Sequence, residues 1–278
     1  MLREIFPMPI TMHRPDTSLT VAEPLGTLVV GRKRSGCFSY PPQDFRGKAP
    51  EGAIIASRPR GAPFPGHDLE ALHEKGHRPM NETAPPSIRS AGADECEAVF
   101  ATIATAFTTD PVARFAMPEP ELYLSMASIF VTGMAGPAFE HGSAYVAEGF
   151  AGAALWLPPG VHADAAELGE HMATRMAAER LPDMAATMEA MAASHPEEPH
   201  WYLPLIGVDP IAQGRGIGAA LMKHALARID ADGACAYLES SNPRNISLYE
   251  RFGFERTGEI RKGAGPVVTP MVRPARRH

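Results

Sequence analysis

Cysteine is scarce in this chain. Cys37, Cys96 and Cys235 are odd in number, far apart, and form no CxxC or Cys/His spacing. That argues against a disulfide framework, gives no metal-binding signature, and points to reduced thiols in a cytoplasmic protein. An excess of positive charge is also missing: 26 Lys+Arg stand against 32 Asp+Glu, a formal net charge of −6. A general nucleic-acid or anionic-membrane binder needs a basic face, so neither partner is expected. No apolar run approaches the ~18 residues that span a bilayer. Prolines interrupt the opening "MLREIFPMPITMHRPD" before a signal-peptide core could form. Two nucleotide motifs are absent as well. There is no GxxxxGK followed by Ser or Thr. Gly216 and Gly218 are followed by Ala219, Ala220 and Leu221, so a dinucleotide GxGxxG lacks its third glycine.

What is present divides near residue 80. The preceding part, for example "GKAPEGAIIASRPRGAPFPGHD", is rich in proline, glycine and arginine and holds no period long enough to build a core. Residues 1–79 are therefore expected to be disordered or loosely attached, with Met80 as the natural initiator and one domain over 80–278. Periodic segments begin soon after. "PSIRSA" reads as a strand, and Asp94 as the N-cap of a helix whose apolar face is Cys96, Val99, Phe100, Ile103 and Phe107. A second helix is expected over Glu121–Gly133, then two strands in "SAYVAEGFAGAALWLPPG" joined at Glu148–Gly149. Residues 164–194 read as helical, with a stripe of Met172, Met176, Met184, Met188 and Met191 that suits a core or an adaptable pocket wall. Strands "WYLPLIGV" and "ACAYLESS", a helix from about Ile217, a short helix in "NISLYERFGF" and a closing pair of strands in "ERTGEIRK" and "VVTPMVRP" complete an α/β reading. The order predicts a mixed sheet flanked by helices.

The stretch "VDPIAQGRGIGAALMKHAL" places a glycine-rich turn between a strand and a helix. Glycine permits positive φ and close approach to the backbone. A helix start offers unpaired N–H groups and a partial positive charge, which suits a phosphate or pyrophosphate. A tight turn without a ligand is the alternative.

Gln213-x-x-Gly216-x-Gly218, followed by "ESSNPRNISLYERFGFE" with Asn245 four residues before Tyr249, resembles the GNAT N-acetyltransferases. "PEEPHWYLPLIGVDPIAQGRGIG", "YLESSNPRNISLYERFGF" and "GAALWLPPG" resemble the puromycin N-acetyltransferase branch of that family. The likeness covers about residues 86–274. It implies a GNAT fold with a helical insert between strands 3 and 4, acetyl-CoA as co-substrate and no metal. It further implies that the strand ending at Gly207 and Val208 splays from its neighbour to hold pantetheine. Gln213, Gly214, Arg215, Gly216, Ile217, Gly218 and Ala219 would surround the pyrophosphate, with Asn245 bonding the cofactor or capping a helix. Arg215 has a solvated-cation alternative.

Tyr249 is the expected general acid, a phenol able to protonate a departing thiolate, and packing beside Phe252 and Phe254 is its alternative role. Glu239 is the candidate base, direct or through water, or else a positioning carboxylate. His200 and Trp201 begin the central strand and are candidates to face substrate. Cys235 as an acyl-thiol nucleophile is disfavoured, because no histidine lies near it in sequence. The expected function is acetyl transfer to a primary amine of a small molecule through a ternary complex. A CoA-binding sensor or scaffold without turnover, and a protein N-acetyltransferase, are the competing readings. A homodimer is left open.

Overall fold

The computed structural model describes residues 86–276. The expectations for residues 1–79 and for Met80 as initiator lie outside them.

Seven strands form one mixed sheet in the order β1-β2-β3-β4-β5-β7-β6. They are β1 Ile88–Ser90, β2 Ala144–Ala147, β3 Gly152–Leu157, β4 His200–Val208, β5 Cys235–Ser240, β6 Glu255–Arg256 and β7 Thr269–Arg273. β4 and β5 run parallel, and every other pairing is antiparallel. β3 sits near the middle and every residue of it is buried, as a strand covered on both faces requires.

Helices cover both faces. On one lie α7 (Ile217–Ala231) and α8 (Ile246–Arg251), whose Leu221, Met222, Ala225 and Tyr249 pack with Tyr145, Ala154, Trp156, Trp201 and Leu238. On the other lie α1 (Cys96–Ala106) and α3 (Pro120–Ala135), with short α2 (Pro111–Ala116) and α4 (Pro137–Glu140) beside them. Between β3 and β4 the expected insert is present as α5 (Ala166–Arg175) and α6 (Leu181–Ala193). Met176 and Met184 are buried there against Ala113, Met117, Tyr123 and Met126, with Met172 and Met188 at the margin, so these four of the five stripe methionines serve the core, and Met191 is half-buried. Asp183 of α6 accepts a hydrogen bond from the Ala264 amide (2.8 Å), tying the insert to the β6–β7 connection. Among the described residues no helix is long and apolar enough to cross a membrane.

Several local expectations change. Asp94 is not the N-cap of α1. It lies inside a 3-10 turn, Ala93–Glu95, and it is Glu95 whose carboxylate turns back to the Gly92 amide (3.1 Å) and grips Arg89 at 2.6 and 2.7 Å. The helical stretch 164–194 breaks after Arg175. The strand expected in "ERTGEIRK" is only Glu255–Arg256, supplemented by an Ile260–Val268 bridge.

The feature that shapes the site is an irregularity in β4. Leu155 of β3 pairs with Leu205 but Leu157 pairs with Tyr202, so β4 carries one extra residue around Leu203–Pro204. An extra residue reverses which face the following side chains meet. Trp201 and Leu203 point to the α7 face, as do Ile206 and Val208 beyond the bulge. Gly207 instead points at α1, where a Cβ would lie 2.5 Å from that of Ala106. Only glycine lets α1 pack this closely.

Candidate functional site

The β4–β5 ladder ends at Leu203↔Leu238, although β4 continues to Val208 and β5 to Ser240. Pro204 stands at the parting and has no N–H to offer β5. Beyond it β4 stays paired only with β3, through Leu205↔Leu155, Ala153↔Gly207 and Gly152↔Val208. The Asp209 amide donates to Ala151 O (3.0 Å), and strand backbone groups alternate in direction. Leu205 and Gly207 therefore point their N–H groups at β3, while Ile206 and Val208 point theirs into the gap. Of the two predicted strand residues, Val208 thus faces the gap. Gly207 does not: its backbone pairs with β3 and its α-carbon packs on α1.

At the mouth of the gap the glycine turn leads into α7. Gly214 (φ 77°) and Gly216 (φ 78°) are left-handed, and a Cβ on either would meet nothing within 4 Å. The loop surface is open and its conformation demands glycine. Gly216 O accepts from the Ala220 amide, so Ile217, Gly218 and Ala219 contribute the unpaired amides of the first turn, which contains no acidic side chain. Gln213 places its amide on Val208 O (3.2 Å), bracing the turn against the strand end. Arg215 is exposed and folds back to Ile211 O (3.3 Å).

The opposite wall belongs to β5 and α8. Tyr249 is 4% exposed, edge-on to Phe254 with ring centroids 6.3 Å apart. Burial, and then the charge of Asp110, push its pKa upward and keep the phenol protonated. Asp110 holds α2 by accepting the Val112 and Ala113 amides at 3.0 Å, and its other oxygen accepts the Ser241 hydroxyl. It thus joins the α1–α2 connection to the end of β5. Asn245 is exposed and makes no side-chain cap bond to α8, while Asn242 caps the preceding 3-10 turn by accepting the Arg244 amide (3.1 Å).

Glu239 follows the last β4–β5 pair, its side chain 2% exposed. It faces away from α7, among rings that the sheet brings together. Tyr202 and Tyr237 are register partners with centroids 5.9 Å apart. His195, just past α6, lies 4.6 Å from the Tyr202 ring and 4.4 Å from the Tyr237 ring. His195 Nε2 is 3.4 Å from Glu239 Oε1, an oxygen that, like the Tyr237 hydroxyl, is buried without a hydrogen-bond partner among the described residues. Burial and then the Glu239 charge raise both phenols. His200 belongs to this group, since its Nε2 lies 3.0 Å from His195 Nδ1. Trp201 does not. It lies on the α7 face, 2% exposed, giving its indole N–H to Asp232 (3.2 Å) under the Arg228 guanidinium (4.9 Å). Neighbours in a strand face opposite ways, so His200 and Trp201 could not both face one ligand.

Sequence reasoning missed His195, Asp110, Ser241 and the two tyrosines. The available signals were the two histidines bracketing "HPEEPH" and the "TTDP" helix stop. Cys235 donates weakly to Pro199 O (3.6 Å) and burial raises its pKa, the reverse of an activated thiol.

A sheet parted at one end beside a glycine turn and a helix N-terminus defines an α/β protein with a gap lined by backbone amides, an arrangement able to accept an anionic group. Comparison with known proteins agrees with that class. Residues 153–254 match the acetyltransferase (GNAT) family. Mycothiol acetyltransferase of Mycolicibacterium gilvum is 42% identical over 59 residues, 18% of this chain and 20% of that protein. N-alpha-acetyltransferase RimI of Mycobacterium tuberculosis is 44% identical over 59 residues, 20% of this chain and 36% of that protein. The chain thus spans only about a fifth and about a third of these relatives. A solved structure described as histone acetyltransferase HPA2 and related acetyltransferase from Corynebacterium glutamicum is alike in fold, with TM-score 0.52 and 24% identity, covering 70% of this chain and 98% of that one.

Proposed function

We propose that this chain is an acetyl-CoA-dependent N-acetyltransferase that passes the acetyl group directly to a primary amine of a small molecule, with residues 80–278 as its working domain. The observation that carries this reading is the parting of β4 from β5 after Leu203 and Leu238, which leaves the Ile206 and Val208 amides unpaired beside the glycine turn. Those amides suit the pantetheine arm and the acetyl carbonyl, where donors aimed at developing charge lower the barrier by a few kcal/mol (roughly 3 for one such donor). The amides of Ile217, Gly218 and Ala219 and the open surfaces of Gly214 and Gly216 suit the pyrophosphate, with Arg215 adding charge and Asn245 a hydrogen bond to the cofactor.

Bound acetyl-CoA supplies an activated thioester, and this chain's residues move the protons. Glu239 takes a proton from the acceptor ammonium, which frees the lone pair that attacks the acetyl carbon. As the N–C bond forms and the C–S bond breaks, the Tyr249 hydroxyl donates to the departing sulfur and regains a proton from the acylated nitrogen, which leaves the neutral amide and the free thiol. Burial makes Tyr249 a weaker acid than a free phenol, so its contribution grows with the charge on sulfur instead of being spent on the ground state. The stretches resembling the puromycin-type branch, and an insert whose end covers Glu239, favour a compact acceptor over a peptide.

The test is free-thiol release from acetyl-CoA with a panel of aminonucleosides including puromycin, polyamines, arylalkylamines and aminoglycosides. Amine-dependent release supports the reading. Tight CoA binding with no release from any amine or peptide N-terminus would make the domain a CoA sensor. Release with peptides alone would make it a protein acetyltransferase.

A further inference from the structure

His195 stands out because no sequence motif marks it, yet it occupies the centre of the ring cluster over Glu239. The hydrogen-bond chain through it fixes where its protons sit. His200 Nδ1 lies 2.8 Å from Glu198 O, and a carbonyl oxygen only accepts, so His200 carries its proton on Nδ1. His200 Nε2 is then the acceptor in the neutral ring, and His195 Nδ1, 3.0 Å away, must be the donor. A neutral His195 would therefore point a lone pair from Nε2 at Glu239 Oε1, 3.4 Å away. Lone pair against carboxylate is repulsive, and the two atoms are held together by the packing of His195 against the Tyr202 and Tyr237 rings. A single proton between them removes the conflict, whichever atom carries it.

We infer that His195 and Glu239 hold one proton between them, and that His195 and His200 relay the acceptor amine's proton from Glu239 to solvent. The inference rests on Glu239 being the acceptor-side carboxylate. The proton leaving the amine adds at the other oxygen of Glu239, the shared proton settles on His195 Nε2, and His195 hands its Nδ1 proton to His200 Nε2. His200, left as the imidazolium, releases one proton to water at its half-exposed edge, so one proton enters the chain and one leaves. The titratable groups facing the pair are Glu239 and Tyr237 from β5, His200 and Tyr202 from β4, and His162 from the β3–α5 connection, which acts on His200. Burial keeps His200 neutral at rest, which suits a proton acceptor. His195 is a positioning and relay residue, not one that touches the acetyl group.

The shared proton is tested without substrate, by NMR of the full chain. At one fixed pH near neutrality, a hydrogen-bonded proton resonance correlated with His195 Nε2 is expected in wild type and lost in Glu239→Gln. Absence of that resonance from wild type, or its persistence in the variant, would overturn the inference. In kinetics, His195→Gln is expected to lower kcat about 10-fold or more at pH 7. The loss should shrink toward pH 9, where the amine arrives deprotonated, and the KM for acetyl-CoA should hold. His200→Gln follows the same trend more weakly, and added imidazole restores His195→Ala. A wild-type pH profile in His195→Gln would overturn the relay. Absence of turnover with any amine would instead overturn the functional reading, leaving the His195 proton resonance to decide the shared proton.

Discussion

The wall of the cleft formed by β4, the glycine turn and the start of α7 presents backbone, whereas the wall formed by β5, α8 and the end of α6 presents side chains. The first wall comes from one run of sequence, Pro204–Ala219, whose local rules dictate its shape: a proline that cannot pair, an extra strand residue, and two left-handed glycines. The second takes Asp110, His195, Glu239 and Tyr249 from four separate segments and exists only once the sheet has formed. A backbone site accommodates a common cofactor with little dependence on side-chain identity. A side-chain site sets which acceptor enters and where its proton goes.

The largest expected effect separates the two walls directly. Tyr249→Phe keeps the ring against Phe254 and removes only the hydroxyl, so kcat should fall by roughly 10²-fold with the KM for acetyl-CoA little changed. Steady-state kinetics under conditions where chemistry limits turnover will show this. A raised KM with intact kcat would make Tyr249 a binding residue and blur the division.

On the backbone wall, Gly216→Asp should weaken CoA more than Gly216→Asn does, by about 10-fold, or about 1.4 kcal/mol. Both side chains tolerate left-handed backbone, so the difference isolates one negative charge against the pyrophosphate. Equal affinities in calorimetry would reduce the loop to a turn.

A smaller effect concerns a part of the fold away from either wall. Arg89 and the Gly92 amide hold the Glu95 carboxyl at about 2, below its ordinary 4.5. Because the folded-state pKa is depressed, this contribution to stability is present above the unfolded value and is lost as pH falls toward about 2. Glu95→Gln should flatten the acid limb of a thermal-melt pH series while leaving catalysis at neutral pH untouched. The smallest expected effect is that of truncation to Met80–His278, which should keep cooperative unfolding and CoA binding, since both walls lie within residues 86–276.

The same contrast explains what the sequence made legible. The order of elements, the insert between β3 and β4, and the glycine turn are local or periodic, and contiguous residues announce them. Glu239 and Tyr249 were found through resemblance, not through spacing. The placement of Trp201 and the omission of His195 have separate causes. Alternation along β4 turns Trp201 to the face opposite His200, and a histidine beyond an insert helix reaches Glu239 only through tertiary packing. Gly207, expected at the cofactor, is required by the approach of Ala106, a contact 101 positions away in sequence.

On this reading the gap between β4 and β5 receives the ligand through the backbone of β4. Amide NMR of the full chain, with hydrogen exchange measured before and after saturation with CoA, tests it residue by residue. The Ile206 and Val208 amides are expected to shift and become protected when CoA binds, while Leu205 and Gly207, already bonded to β3, change little. CoA binding that leaves Ile206 and Val208 exchanging at their free rates would contradict it.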